Sequence, residues 1–311
     1  MSYQQKQTAY QLTIGGDMIV NRLGYGAMHL TGYGMWGDPD DPEKAVRLLR
    51  RAVELGVNFI DTADCYGPGN NEQIIRRALH PYAEDLVICT KGGLLRSGPK
   101  DWIHGEPGAP YIVPCGRPAY LRQQVELSLR NLGMERIPLY QLHSIDPCVP
   151  LEDQLGELAS LQKQGKIRHI GLSGQPGVSI AQLQEAQRIV DIVAIENLYN
   201  IADRTDETTL KHAQKNNVAY IPWFPLGHGG LVGPDNVLAP IAERFGASPS
   251  QLALAWLLHK SPATVLIPGT TTIKHLEENI KATDIQLSTA DLAAIASAVD
   301  EAHPPTWRPE H

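Results

Sequence analysis

Short apolar runs alternate with longer amphipathic stretches along almost the whole chain, and this alternation constrains the fold more than any other feature. Eight runs read as buried strands: Leu23–Gly26, Asn58–Thr62, Leu86–Lys91, Leu139–His143, Ile167–Ser173, Ile192–Glu196, Ala219–Trp223 and Thr264–Ile267. Between them, helical spacing predicts helices starting near Pro42, Asn71, Ala119, Leu151, Ser179, Thr205, Val237 or Ser250, and Ile273. Asp41-Pro42 and Ser248-Pro249 each pair a capping side chain with a proline suited to a first helical turn. Ahead of the repeat, Tyr10–Val20 predicts a hairpin turning at Gly15-Gly16-Asp17, and Ser288–Glu301 predicts an extra helix after it. Eight strand–helix units in about 280 residues suit a closed parallel (β/α)8 barrel, an α/β TIM barrel. No linker or composition break divides the chain, so one domain over residues 1–311 is expected, although this length also accommodates two ordinary domains. A doubly wound sheet is the alternative. It favours a glycine-rich phosphate turn after the first strand, whereas Gly24-Tyr25-Gly26-Ala27 lacks the third glycine and Gly227-His228-Gly229-Gly230 is no such fingerprint.

Charge excludes some partners. The net charge is −7 with no basic block, which argues against nucleic acid or an anionic membrane as partner. The first ten residues, MSYQQKQTAY, hold no apolar signal core, and no window approaches a membrane span. The four cysteines, at 65, 89, 115 and 148, include no C-x-x-C pair, so a reduced, cytoplasmic protein is expected. There is no H-E-x-x-H and no clustered His/Cys set, and no metal site is expected. Cys65 reads as a small packing residue.

In a parallel barrel, the carboxyl ends of the strands build the site. That rule gathers four polar residues scattered in sequence: Asp61 and, in the loop after it, Tyr66, both in FIDTADCYG; Lys91 after LVICT; and His143 in LYQLH. Taken singly, each has an ordinary role, such as a helix cap, a loop aromatic, a rim charge or a hydrogen-bonded strand end. Together they make a proton-transfer group. A phenol titrates near pH 10, and a neighbouring ammonium favours its anion. Lys91 is the candidate ammonium and Asp61 its carboxylate partner. Tyr66 is then the general acid for a carbonyl oxygen that gains negative charge, and His143 donates a hydrogen bond to the same oxygen. The carbon needs hydride from a cofactor, because no side chain donates one.

The sequence resembles the aldo-keto reductase superfamily along essentially its whole length, through FIDTADCYG, CTK, LYQLH and IPGTTTIKHLEEN. Its Asp-Tyr-Lys-His tetrad falls on Asp61, Tyr66, Lys91 and His143. The resemblance implies a (β/α)8 barrel that reduces aldehydes or ketones with NADPH, with a hairpin closing the amino-terminal end. For the nicotinamide it points to Ser173 and, with departures, to Gly174 where the family often has asparagine and Glu196 where it has glutamine. Trp223 takes the place of the stacking aromatic, and Leu226 and Gly227 follow along the pyrophosphate. Gly269, Thr270, His275, Glu278 and Asn279 match the adenosine end. His275 stands where many NADPH-using relatives have arginine, with Lys274 alongside, and NADPH is expected over NADH.

Trp36, Trp102 and Tyr111 are the expected substrate-lining residues, with Tyr33 and Trp307 nearby; aromatic walls suit flat or apolar carbonyl compounds. NRLGYGAMHL and the IPGTTTIKHLEEN motif are similar to the bacterial branch that includes pyridoxal reductases, which makes pyridoxal a candidate beside a broad aldehyde or ketone range. Potassium-channel β-subunits also resemble this superfamily, so a regulatory cofactor-binding protein is an alternative, although the chain offers no long N-terminal extension. A barrel lyase or isomerase without nicotinamide is another.

Overall fold

The computed structural model describes residues 10–99, 112–174, 177–227 and 236–302. The chain first forms an antiparallel hairpin, β1 (Gln11–Ile14) and β2 (Met18–Asn21), whose turn places Gly15 and Gly16 at φ 61° and 82°. β3 (Tyr25–Gly26), β4 (Phe59–Asp61) and β5 (Val87–Gly92) then pair in parallel. A small antiparallel pair, β6 (Leu94–Arg96) and β7 (Ile112–Pro114), leaves the sheet after β5. β8 (Ile137–His143), β9 (Ile167–Ser173), β10 (Ile192–Leu198) and β11 (Ala219–Trp223) complete a seven-stranded parallel sheet in the order β3-β4-β5-β8-β9-β10-β11.

The expected eighth strand, Thr264–Ile267, forms no ladder of its own and closes the ring through single bridges. Leu266 pairs with Leu23, and Thr264 with Tyr220. Gly24 N–H donates to Leu266 O at 2.8 Å and Val265 N–H to Tyr220 O at 2.9 Å, so this segment joins the last strand to the first. Buried Arg22 fixes the closure: its guanidinium donates to the carbonyls of Leu258, Ser261 and Thr264. These carbonyls belong to a helix end and the turn after it, which lack intrahelical donors.

The helices are α1 (Pro42–Glu54), α2 (Asn70–Leu79), α3 (Pro118–Leu132), α4 (Leu151–Lys163), α5 (Ile180–Gln187), α6 (Glu207–Lys215), α7 (Ala239–Arg244), α8 (Pro249–Lys260), α9 (Ile273–Ile280) and α10 (Thr289–Ala302). Asp41 accepts from Lys44 N–H, and Ser248 forms a capping box with Gln251, as the Asp-Pro and Ser-Pro pairs predict. The region expected to hold one helix near Val237 or Ser250 holds two, α7 and α8. α10 is the extra C-terminal helix.

Strand periodicity sorts side chains into two layers. Ile60 and Ile88 pack outward among α1 and α2, whereas Phe59, Val87, Cys89 and Leu139 share an inner cluster with Ile14, Met18 and Val20 of the hairpin. The hairpin therefore plugs the amino-terminal end of the barrel, with Asp17 bonded to Arg168 and His169 at the start of β9. Continuing each inward row by two residues, from Phe59, Cys89 and Leu139, leads to Asp61, Lys91 and Gln141 at the opposite end.

Candidate active site

Lys91 lies at the centre of that end, with its side chain fully buried. Its ammonium donates to both oxygens of Asp61, at 2.7 and 2.6 Å, and to Thr62 O at 3.1 Å. A third neighbour comes from across the barrel: Glu196 Oε2 is 3.4 Å from Lys91 Nζ. Glu196 Oε2 also accepts from Gln141 Nε2 at 2.6 Å. Gln141 lies two residues before His143 on β8, so strand period was the signal that could have found it.

Tyr66 is presented by the turn after β4. The turn is held by Tyr66 N–H to Ala63 O and Asn71 N–H to Tyr66 O, and Asn71 in turn bonds Thr62 and Ala27. Lys91 Nζ sits 5.4 Å from the Tyr66 ring centre, and the His143 ring meets Tyr66 edge-on at 6.2 Å. The fold thus brings the four expected catalytic residues together.

The electrostatics correct one expectation. Lys91 does pull the Tyr66 phenol toward ionisation, but burial outweighs it, and Asp61, Cys65 and Glu196 add to the upward push. The phenol pKa is raised, not lowered. The physical reason is desolvation: a phenolate inside the closed barrel loses its water, and the attraction of Lys91, itself offset by Asp61, does not repay that loss. Lys91 itself is held well above its ordinary value; burial opposes this, and Asp61 and Glu196 overcome it. Burial drives the Asp61 carboxyl up against the pull of Lys91. Burial, with Asp61 adding, pushes Glu196 up to about 8. Burial and the charge of Lys91 keep the His143 imidazole well below its ordinary value, hence neutral.

Cys65 is buried, as expected, and its Sγ lies 3.7 Å from His143 Nδ1. Burial pushes the thiol up, so it keeps its proton. An S–H aimed at Nδ1 leaves the other imidazole nitrogen as the N–H donor. No ligand spacing exists in the sequence, yet the fold brings donor atoms of Asp64, Cys65 and His143 within 4.8 Å of one another, a grouping that only tertiary structure assembles.

The expected cofactor residues line the strand ends from β9 round to α9. Ser173 is buried and pairs in register with Glu196. Gly174 N–H donates to Glu196 O at 3.1 Å, and Gly174 O accepts from Trp223 Nε1 at 3.3 Å. A Cβ on Gly174 would stand 2.6 Å from the backbone of Gly177 and Val178, which explains the missing asparagine. Trp223, Leu226 and Gly227 are half-exposed along one lip. At Gly269 a Cβ would meet the His29 ring at 2.9 Å. Thr270 is buried, with its carbonyl accepting from Tyr25 Oη at 2.6 Å. Thr272 caps α9 by accepting from His275 N–H; His275 and Lys274 are exposed in that first turn, Glu278 is half-buried 3.9 Å from Lys274, and Asn279 is buried. A half-exposed indole face, a hydroxyl, two basic side chains and a helix N-terminus form a donor set that fits a phosphorylated dinucleotide.

Trp36 is partly exposed on the turn that clasps the Tyr66 loop: Gly37 N–H donates to Gly67 O and Gly67 N–H to Met35 O, both at 3.1 Å. The Arg96 guanidinium lies 5.9 Å from the Trp36 ring centre. Arg96 belongs to β6, which pairs with β7 in the stretch between β5 and α3. Trp102, Tyr111 and Trp307 lie outside the described residues.

The model of the aldo/keto reductase family matches residues 22–300. The chain belongs to that family. It is 46% identical over 280 residues to an uncharacterised oxidoreductase of Schizosaccharomyces pombe, covering 90% of this chain and 87% of the relative. It is 42% identical over 286 residues to pyridoxine 4-dehydrogenase of Escherichia coli, covering 90% and 95% respectively. Among solved structures, an aldo-keto reductase from Klebsiella pneumoniae in complex with NADPH superposes with a TM-score of 0.75 at 25% identity, covering 96% of each chain. The (β/α)8 fold and an NAD(P)H-dependent oxidoreductase activity follow from family membership. Among the described residues, no helix is long and apolar enough to cross a membrane.

Proposed function

We propose that this protein reduces an aldehyde or ketone to the alcohol with NADPH, and that Tyr66 gives the proton. The observation that carries the reading is the assembly of Tyr66 and His143 over a buried Lys91–Asp61 pair. The cofactor supplies the hydride to the carbonyl carbon when bound. The chain's own residues handle the oxygen. Tyr66, kept protonated, donates to it, while Lys91 is the cation nearest to the phenolate that results. Neutral His143 donates a hydrogen bond to the same oxygen. Ser173, Glu196 and Trp223 hold the nicotinamide end; Thr270, Lys274 and His275 hold the phosphate end, with Glu278 and Asn279 on the adenine.

Pyridoxal is the proposed substrate within this class. The relative named pyridoxine 4-dehydrogenase supports it, as does a partly exposed tryptophan beside the Tyr66 loop, an aromatic face for a flat ring. The test is NADPH oxidation across pyridoxal, aromatic aldehydes, methylglyoxal and steroid-like ketones. Turnover on none of them, with nucleotide tightly retained, would favour a regulatory protein; failure of pyridoxal alone would overturn the substrate and leave the reaction.

A further inference from the structure

Two carboxyls converge on one ammonium inside the barrel. Asp61 takes two short bonds from Lys91, while Glu196 approaches it at 3.4 Å through one oxygen, and both carboxyl side chains are only 4% exposed. The groups facing Glu196 are Asp61 from β4, Cys89 and Lys91 from β5, Gln141 from β8, and Tyr66 from the loop after β4. Lys91 is the single cation among them. One cation does not neutralise two carboxylates where water cannot reach them, so one carboxyl holds a proton, as in other buried carboxyl pairs. The bidentate contact assigns the negative charge to Asp61 and the proton to Glu196.

We propose that Glu196 serves the nicotinamide as a neutral carboxylic acid standing in for glutamine, and that loss of its proton shifts the protein's preference from NADPH toward NADP⁺. The inference rests on the NADPH reading above. A carboxylic acid presents one O–H donor and one acceptor oxygen, matching the donor and acceptor faces of a primary amide; a carboxylate only accepts. Glu196 Oε2 already accepts from Gln141 Nε2, so what the neutral acid adds is an O–H that can donate to the carboxamide oxygen, which a carboxylate lacks. Burial and Asp61 place the loss of that proton at about pH 8. The proton leaves to solvent and no other bond changes. The site then carries one negative charge more than it can neutralise. The oxidised nicotinamide ring is cationic and the reduced ring is neutral, so the added charge favours the oxidised form.

The experiment measures dissociation constants for NADPH and NADP⁺ by protein fluorescence quenching, on the full chain and on Glu196→Gln, from about pH 7 to about pH 9.5. Both nucleotides carry the same 2′-phosphate, so its contribution cancels in their ratio. The ratio Kd(NADPH)/Kd(NADP⁺) should rise about tenfold across this range in the parent and stay flat in the variant. Infrared difference spectra of the nucleotide-free protein between the same pH values should show loss of a protonated-carboxyl band in the parent that Glu196→Gln lacks. Parallel slopes in the two proteins, or no such band, would overturn the role of Glu196. If neither nucleotide binds, the NADPH reading falls and takes this proposal with it.

Discussion

Lys91→Met removes the cation that faces both Asp61 and Glu196 and leaves a side chain of similar length. Both carboxyl side chains are 4% exposed, so neither can be rehydrated in place. Breaking a buried ion pair from one side costs about 3–5 kcal/mol. Protonation offers partial escape, which gives the loss a pH signature. Without Lys91, burial acts on both carboxyls unopposed, and each binds its proton more tightly in the folded chain than in the unfolded one. Stability from such groups is fully present below the unfolded carboxyl pKa and is lost as pH rises through the folded value. Lys91→Met should therefore lie close to the parent at about pH 4 and fall about 3–5 kcal/mol below it by about pH 8. Asp61→Asn with Lys91→Met removes both members of the pair. That double variant should recover most of the stability at pH 8 and none of the carbonyl reduction. Urea unfolding followed by tryptophan fluorescence at several pH values, beside NADPH oxidation, measures both. A Lys91→Met protein as stable as the parent at pH 8, or equally weakened at every pH, would refute the buried-pair reasoning. Parental turnover would refute the catalytic reading.

Tyr66→Phe keeps the ring and removes the proton donor, so kcat should fall by about two to four orders of magnitude with little change in NADPH affinity; steady-state rates and fluorescence titration would show it. Gly174→Asn should destabilise the fold by about 1–3 kcal/mol, read as a lower Tm, because its Cβ would stand 2.6 Å from the backbone of Gly177 and Val178. An unchanged Tm together with tighter NADPH would show that this turn tolerates the usual asparagine. His275 is exposed in the first turn of α9, so His275→Arg should add a permanent charge and a fork at the 2′-phosphate. NADPH should tighten relative to NADH by roughly five- to thirtyfold; equal tightening of both would move the 2′-phosphate away from this residue.

Much of the site was legible because strand geometry is periodic. The apolar residues Phe59, Cys89 and Leu139 mark the inward rows whose next members are Asp61, Lys91 and Gln141, and His143 extends the last of them. Caps at Asp41 and Ser248 were legible for the same local reason, since a side-chain oxygen reaches amides only a few residues away. The eighth stave was legible as an apolar run, but its form was not. The single bridge to Leu23 and the grip of Arg22 depend on residues more than two hundred positions apart, and the bridge to Tyr220 joins residues on either side of α7 and α8.

The alternation of the main strands and helices, the direction each strand side chain faces and the choice of the four candidate catalytic residues come from the sequence alone, because they rest on local periodicity and on motifs; the β6–β7 pair and the split into α7 and α8 do not. The charge state of the site does not. Nothing local brings Glu196 of β10 against Lys91 of β5, Cys65 against His143, or Gln141 against Glu196. Those contacts exist only once the sheet curls and its far strands share one interior. The sign of the Tyr66 shift reversed for that reason: a lysine beside a phenol promises a lowered pKa, but desolvation, with Asp61 adding to it, outweighs the lysine, and that desolvation is a property of the closed barrel.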